Sequence, residues 1–239
     1  MDYQNAVKVR GNYANIYGDP DTIKLLKSRE IDFMINTAVS AGKRALDLCC
    51  GAGWLSLELA RRGMKVDAID ISPDAIEVAK KFKNDHKINY IVADLNKVKL
   101  PKNEYDVVVS YDGLHHVEKM DKLMGEIKNS LKPNGIIIVF DNIHENIISY
   151  RLRDKSEDSE HEGVSRGNVV IEIERNFEIL KAYRLLSFAI HAIRHSRAYN
   201  FPYFLKKFFI KSVRKVDDFF TSSNLFKGEY ILIYGRKKS

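Results

Sequence analysis

Apolar spacing along the chain has two regimes. Between Ala45 and Asp141 the short runs "RALDLC", "KVDAID", "INYIVAD", "YDVVVS" and "GIIIVFD" alternate with stretches of helical period. That alternation predicts a parallel sheet with crossover helices. After the second run Ser72 suits an N-cap and Pro73 the first helical position, and Ala75, Val78, Ala79 and Phe82 fall at i, i+3, i+4 and i+7. One apolar stripe therefore faces the sheet. Leu123, Met124, Ile127 and Leu131 form a second such stripe ahead of the turn "KPNG". Upstream, "DPDTIKLLKSREIDFMINTAVSAG" predicts a leading helix with Pro20 near its start and Gly42 at its end. Downstream the rhythm breaks. "RLRDKSEDSEHEGVSRG" is a polar loop, "NVVIEIERNF" a helix despite its β-branched residues, and "FEILKAYRLLSF" and "GEYILIYGRK" are strands.

A chain of 239 residues with 45% apolar content can bury one substantial core. We expect a single domain over 1–239: an N-terminal lid and leading helix over 1–42, a sheet core over 43–188, an insert over 189–228 and a final strand over 229–239. The N-terminus lacks the basic-then-apolar order of a signal peptide, and no 18-residue apolar run is present. The two cysteines, Cys49 and Cys50, are adjacent and badly placed for an ordinary disulfide. A reducing, cytoplasmic setting is the expectation, with peripheral membrane contact left open. The net charge of +7 is concentrated late. Between His191 and Lys227 eight basic residues face only Asp217 and Asp218.

Gly51, Gly53 and Ser56 follow the first strand as G-x-G-x-x-S, and Asp70 ends the second. A dinucleotide site has those parts. However, the third glycine is missing, and Asp47 precedes the loop where a carboxylate repels a pyrophosphate and attracts a cation. Asp94 ends the third strand. Three acids at three strand ends favour a cationic nucleoside, whose adenine amino group needs an acceptor there.

"LDLCCGAGWLSLELA", "VDAIDISPDAIEVAKK", "INYIVADLNKVKLPKNEYDVVVSYDGLHHV" and "LMGEIKNSLKPNGIIIVFD" together resemble the successive motifs of class I S-adenosylmethionine-dependent methyltransferases. The resemblance runs from Ile23 to Asp141 and returns weakly in the last strands. It implies a Rossmann-like α/β sheet, mostly parallel with a final antiparallel strand, and S-adenosylmethionine as cofactor. It also implies that Asp47 and the loop Cys49, Gly51, Gly53 hold the methionine part, with Cys49 where the family usually has its first glycine. Asp70 would take the ribose hydroxyls, Ile71 one adenine face, and Asp94 with Leu95 the adenine edge. Tyr17, with Tyr13, stands where the family often carries a lid.

Methyl transfer to a hydroxyl needs alignment and a base. "SYDGLHHVEKM" offers Asp112, His115 and His116 at i, i+3, i+4, which one helical turn would place on a common face. The spacing is similar to the E-x-x-E-H site of metal-dependent ubiquinone-biosynthesis O-methyltransferases, with His115 in place of an acid. Helix packing, proton removal by His116 or His115, and metal ligation all remain open readings. No metal is assigned, and His161 in the polar loop is the next candidate base.

The family usually joins its last two strands by a short hairpin, so "FAIHAIRHSRAYNFPYFLKKFFIKSVRKVDDFF" is expected to fold as a helical cap. Phe204, Phe208 and Val213 would share a stripe, with Lys206, Lys207, Lys211 and Arg214 as cationic heads. The expected acceptor is a small-molecule, glycan or lipid-linked hydroxyl, with contact to an anionic membrane as a further possibility. RNA methylation is the alternative that the basic pI of about 9.2 raises. Against it, "SYDG" lacks the N/D-P-P-Y/F pattern of base-amino methylases. A non-catalytic cofactor-binding subunit is the third reading.

Overall fold

The computed structural model describes residues 20–81, 88–142, 167–185, 202–222 and 230–238. Tyr13, Tyr17 and His161 lie outside them. The leading helix, α1, spans Pro20–Ala41. Gly42 follows it, and a Cβ there would meet Asp106 at 2.4 Å. Only glycine leaves room for the Asp106 carboxylate to accept the Lys43 and Arg44 amides, both at 2.9 Å.

From there strands and helices alternate as the periodicity predicts, except that the third strand leads to the fourth without a helix. The order is β1 (Arg44–Leu48), α2 (Trp54–Arg61), β2 (Lys65–Asp70), α3 (Pro73–Lys81), β3 (Ile88–Val92), β4 (Tyr105–Tyr111), a single 3-10 turn (Leu114–His116), α4 (Met120–Ser130) and β5 (Leu131–Asn142). Then follow α5 (Gly167–Asn176), β6 (Phe177–Leu185), α6 (Tyr203–Ser222) and β7 (Tyr230–Lys237). Ser72 does cap α3, its hydroxyl accepting the Ala75 amide at 3.2 Å. The buried stripe of α3 includes Ala75, Ile76 and Ala79, with Val78 half-buried at its border. In α4 Leu123, Met124 and Ile127 are buried as expected.

The seven strands form one sheet in the order β3-β2-β1-β4-β5-β7-β6. β1 pairs in parallel with β2 and with β4, β2 with β3, and β4 with β5. β7 runs the other way. A Cβ on Gly235 would touch Ile137 in mid-β5 and Phe177 at the start of β6, while the Lys237 ammonium reaches the Leu131 carbonyl at the start of β5. "KPNG" is carried inside β5: Tyr105 pairs with Leu131 but Val107 with Ile136, so the extra residues form an irregularity with Asn134 at φ 62°. The strands on either side of β1 are reached in opposite directions, which opens a crevice at the carboxyl ends of β1 and β4.

The chain divides into two compact units. One holds Asp32–Asn142, Gly163–Tyr183 and Leu232–Ser239, which includes nearly all of the sheet. The other holds Met1–Ile31, Ile143–Glu162 and Arg184–Ile231. In the second unit α6 departs from the sequence expectation. Lys206 and Arg214 are buried and not cationic heads, Phe204 and Phe208 are exposed, and Val213 is half-buried. The reason is an ion pair from Arg214 to Glu30 of α1, at 2.5 Å, which turns the charged side of the helix inward.

Candidate active site

Leu48 is the last residue of β1, and the chain then turns through Cys49 (φ 57°), Gly51 (φ 54°) and Gly53 (φ 76°) into α2. The Cys50 amide donates to the Ile69 carbonyl at 3.0 Å, tying the turn to β2. Glycine is required at 53 twice over, by its backbone angle and because a Cβ would lie 2.5 Å from the Tyr90 hydroxyl. At 49 a thiol-bearing residue occupies the left-handed region that glycine takes without strain. Its Cβ would be 2.3 Å from a Cβ on Gly113, so the end of β4 lies directly against this loop.

Asp47 and Asp70 flank the loop. Asp47 is 1% exposed, and its Oδ2 accepts the Ser56 hydroxyl at 2.5 Å. Burial, reinforced by the nearby Asp70 charge and opposed by the Ser56 hydrogen bond, pushes its carboxyl up to about 7. Asp70 accepts the Gly51 amide on Oδ2 at 2.7 Å and the Ser72 amide on Oδ1 at 2.9 Å. Each oxygen keeps a second lone pair, which suits a vicinal diol. Among the described residues no basic side chain pairs with Asp47 or Asp70. Two buried carboxylates in that state fit a ligand that brings its own positive charge and hydroxyls.

Next to them the Asp70 carbonyl accepts the Ala93 amide at 3.0 Å, which brings the end of β3 to the same edge. Asp94 is held below the usual carboxylate range by the Asn96 amide and then by Lys97. Leu95 is buried, while Ile71 is 66% exposed, an apolar side chain at the rim of the sheet suited to an aromatic face.

Across the crevice, Asp112 stands in the left-handed region at φ 56° and its amide donates to the Phe140 carbonyl at 2.7 Å. Tyr111 stacks on Phe140 with centroids 4.9 Å apart and meets Trp54 of α2 edge-on at 5.0 Å. The common helical face expected for Asp112, His115 and His116 does not form. Only a 3-10 turn is present, Asp112 precedes it, and its geometry buries His115 while leaving His116 exposed. The imidazole rings are 4.0 Å apart.

His115 is fixed by a residue that sequence spacing did not single out. Asp141, fully buried at the end of β5, lies 2.5 Å from His115 Nδ1 through Oδ1 and accepts the His115 amide on Oδ2 at 3.2 Å. The Asn142 amide donates to Oδ1 at 2.7 Å. A buried carboxylate acceptor selects the tautomer with the proton on Nδ1, which makes Nε2 the basic nitrogen. The available signal was position alone: Asp141 is a fourth acid ending a parallel strand. Asp112, His115 and Asp141 also present ligand atoms within 4.8 Å of one another, a set able to hold a divalent cation.

Residues 46–139 match the family model described as a methyltransferase domain. The mitochondrial ubiquinone biosynthesis O-methyltransferase of Schizosaccharomyces pombe is 34% identical over 131 residues, 51% of this chain and 47% of that protein. The demethylmenaquinone methyltransferase of Oceanobacillus iheyensis is 30% identical over 156 residues, 60% of this chain and 66% of that protein. The chain thus spans about half to two thirds of the length of these curated relatives. An S-adenosylmethionine-dependent methyltransferase from Mesorhizobium loti shares the fold, with a TM-score of 0.60 at 20% identity, over 89% of this chain and 98% of that one.

Proposed function

We propose that this chain, whose residues 46–139 match a methyltransferase-domain family model, is a class I S-adenosylmethionine-dependent methyltransferase that methylates a hydroxyl of a small-molecule acceptor, with His115 as the base. S-adenosylmethionine supplies a methyl group already activated on a sulfonium. Asp47 and the Cys49–Gly53 loop would hold its methionine part, Asp70 the ribose hydroxyls, Ile71 one adenine face, and Asp94 with Leu95 the adenine edge. The paired cation would restore the charged form of Asp47, whose burial otherwise opposes ionisation.

The observation that carries the hydroxyl reading is the 2.5 Å contact between His115 Nδ1 and Asp141, in the segment whose Gly113 packs on Cys49. Asp141 orients the imidazole and offsets the positive charge that His115 acquires. Nε2 would take the acceptor's proton, leaving the acceptor oxygen to receive the methyl group that the sulfonium would supply as its carbon–sulfur bond breaks and the neutral thioether departs. Small-molecule acceptors are also what the names of the quinone-biosynthesis relatives describe. Asp112 and Asp141 act here as hydrogen-bonding groups, and activity is expected to survive a chelator.

Labelled methyl transfer to a panel of phenolic, quinol, sugar and RNA acceptors tests the reading. The expected result is labelling of a small hydroxyl compound that His115→Ala abolishes while calorimetry shows cofactor binding unchanged. Labelling of RNA alone, or full turnover in His115→Ala, overturns it.

A further inference from the structure

α6 is amphipathic in the reverse sense from the helices on the sheet. Lys206, Ile210, Arg214 and Asp217 recur at i, i+4, i+8 and i+11 and are buried. Phe204, Phe208, Lys211, Lys215 and Phe219 recur at i, i+4, i+7, i+11 and i+15 on the opposite side and are all exposed. Phe208 is 73% exposed and Phe204 69%. A helix that only needed solvent on its outer face would carry its phenylalanines inward and its charges outward.

The inversion is held in place. Glu30 of α1 is 2% exposed and accepts from Arg214 at 2.5 Å and from Arg29 at 3.1 Å. Arg29 in turn makes a two-point contact with Asp218 of α6, at 2.8 and 2.9 Å. This network lies within one compact unit and sets which side of α6 faces out. Rotating the helix to hide its phenylalanines would take Arg214 away from Glu30 and leave that buried carboxylate only the more exposed Arg29 beside it on α1.

Charge decides what the outward face meets. Lys207, Lys211 and Lys215 are exposed along it, one turn apart, and the two acids of α6 stand elsewhere: Asp217 is buried and Asp218 is paired with Arg29. Aromatic rings between lysines complement a phase that is apolar within and anionic at its surface. No described helix is long and apolar enough to cross a membrane, so α6, 20 residues long, would lie in the interface plane.

We propose that the Phe204, Phe208 and Phe219 face of α6 docks on the surface of an anionic lipid bilayer, with Lys207, Lys211 and Lys215 on the headgroups. The proposal uses none of the residues assigned to methyl transfer, and its test does not depend on that activity. The full chain is centrifuged with vesicles of phosphatidylcholine alone and of phosphatidylcholine with phosphatidylglycerol, at low and high salt. Binding to the anionic vesicles only, weakened by salt, is expected. Lys207→Gln with Lys211→Gln and Lys215→Gln should lower partitioning about 10²-fold, since each basic residue contributes roughly a fivefold factor. Phe204→Ser with Phe208→Ser should lower it about tenfold or more, because both rings leave water in the docked state. In Phe208→Trp the indole emission should shift to the blue on anionic vesicles and be quenched by brominated lipid. These side chains are exposed, so the variants keep the fold, which circular dichroism checks. Equal binding to neutral vesicles, no vesicle binding, unquenched Trp emission, or a dimer that the Phe→Ser pair dissolves in the absence of lipid each overturns the proposal. So does a shift of RNA without vesicle binding.

Discussion

The acids at the two sides of the crevice are used in different ways. At the ends of β1 and β2, Asp47 and Asp70 are buried among backbone amides and a serine hydroxyl, and no described cation meets them. At the end of β5, Asp141 is buried just as deeply but is matched to an imidazole at 2.5 Å. The first arrangement leaves a negative charge for a ligand to neutralise. The second has already used its charge to set a tautomer. The contrast teaches that burial of a strand-end acid does not fix its function; the partner supplied by the chain does.

Removing the imidazole tests the difference most strongly. His115→Ala is expected to lower kcat by about 10²-fold or more, with the cofactor Kd unchanged by calorimetry, whereas His116→Ala should leave both near wild type. Asp141→Asn should lower kcat less, because an amide no longer dictates which ring nitrogen carries the proton. An unchanged kcat in Asp141→Asn would make Asp141 merely structural.

On the other side, Asp70→Ala should weaken cofactor binding by about 1.5–3 kcal/mol, the scale of hydrogen bonds to a charged group, and leave the pH–rate profile of bound enzyme in place. Loss of kcat without loss of affinity would merge the two regions that the geometry separates.

A smaller effect follows from Asp47. Its folded-state value, raised to about 7, stands above that of an unfolded carboxylate, near 4, so the folded chain binds the extra proton. The unliganded protein should therefore be most stable below about pH 4 as far as this group is concerned, and lose that contribution as pH rises to about 7. A cation beside Asp47 reverses the preference. Cofactor binding should tighten about tenfold between pH 6 and 8 and release a proton, read from calorimetry in two buffers of different ionisation heat. In Asp47→Asn both effects should vanish.

At the junction of the two regions stability is expected to change and the chemistry is not. Cys49→Gly should raise stability by up to about 1 kcal/mol in denaturant melts by relieving the left-handed backbone. Gly113→Ala should lower it by about 1–3 kcal/mol through overpacking on Cys49.

The sheet was legible in the sequence because its signals are local. A strand shows itself in five or six consecutive residues, a helix in a few turns, and their alternation dictates parallel pairing. The proposed cofactor edge rests on local signals too: Asp47, Gly51, Gly53, Asp70 and Asp94 each sit at a fixed place relative to a strand end. The expected face of Asp112, His115 and His116 failed because the helical period was assumed where the chain makes only a 3-10 turn.

What only the tertiary structure decided involves partners far apart in the chain. His115 and Asp141 are 26 positions apart, and nothing in either neighbourhood says which strand end reaches which loop until β4 and β5 pair. Arg214 and Glu30 are 184 apart. The sequence by itself determined that α6 is amphipathic, since the period is written in its residues. Which side is buried depends on whether the apolar face or a distant carboxylate claims the interior, and Glu30 settles that through a contact that no local pattern contains.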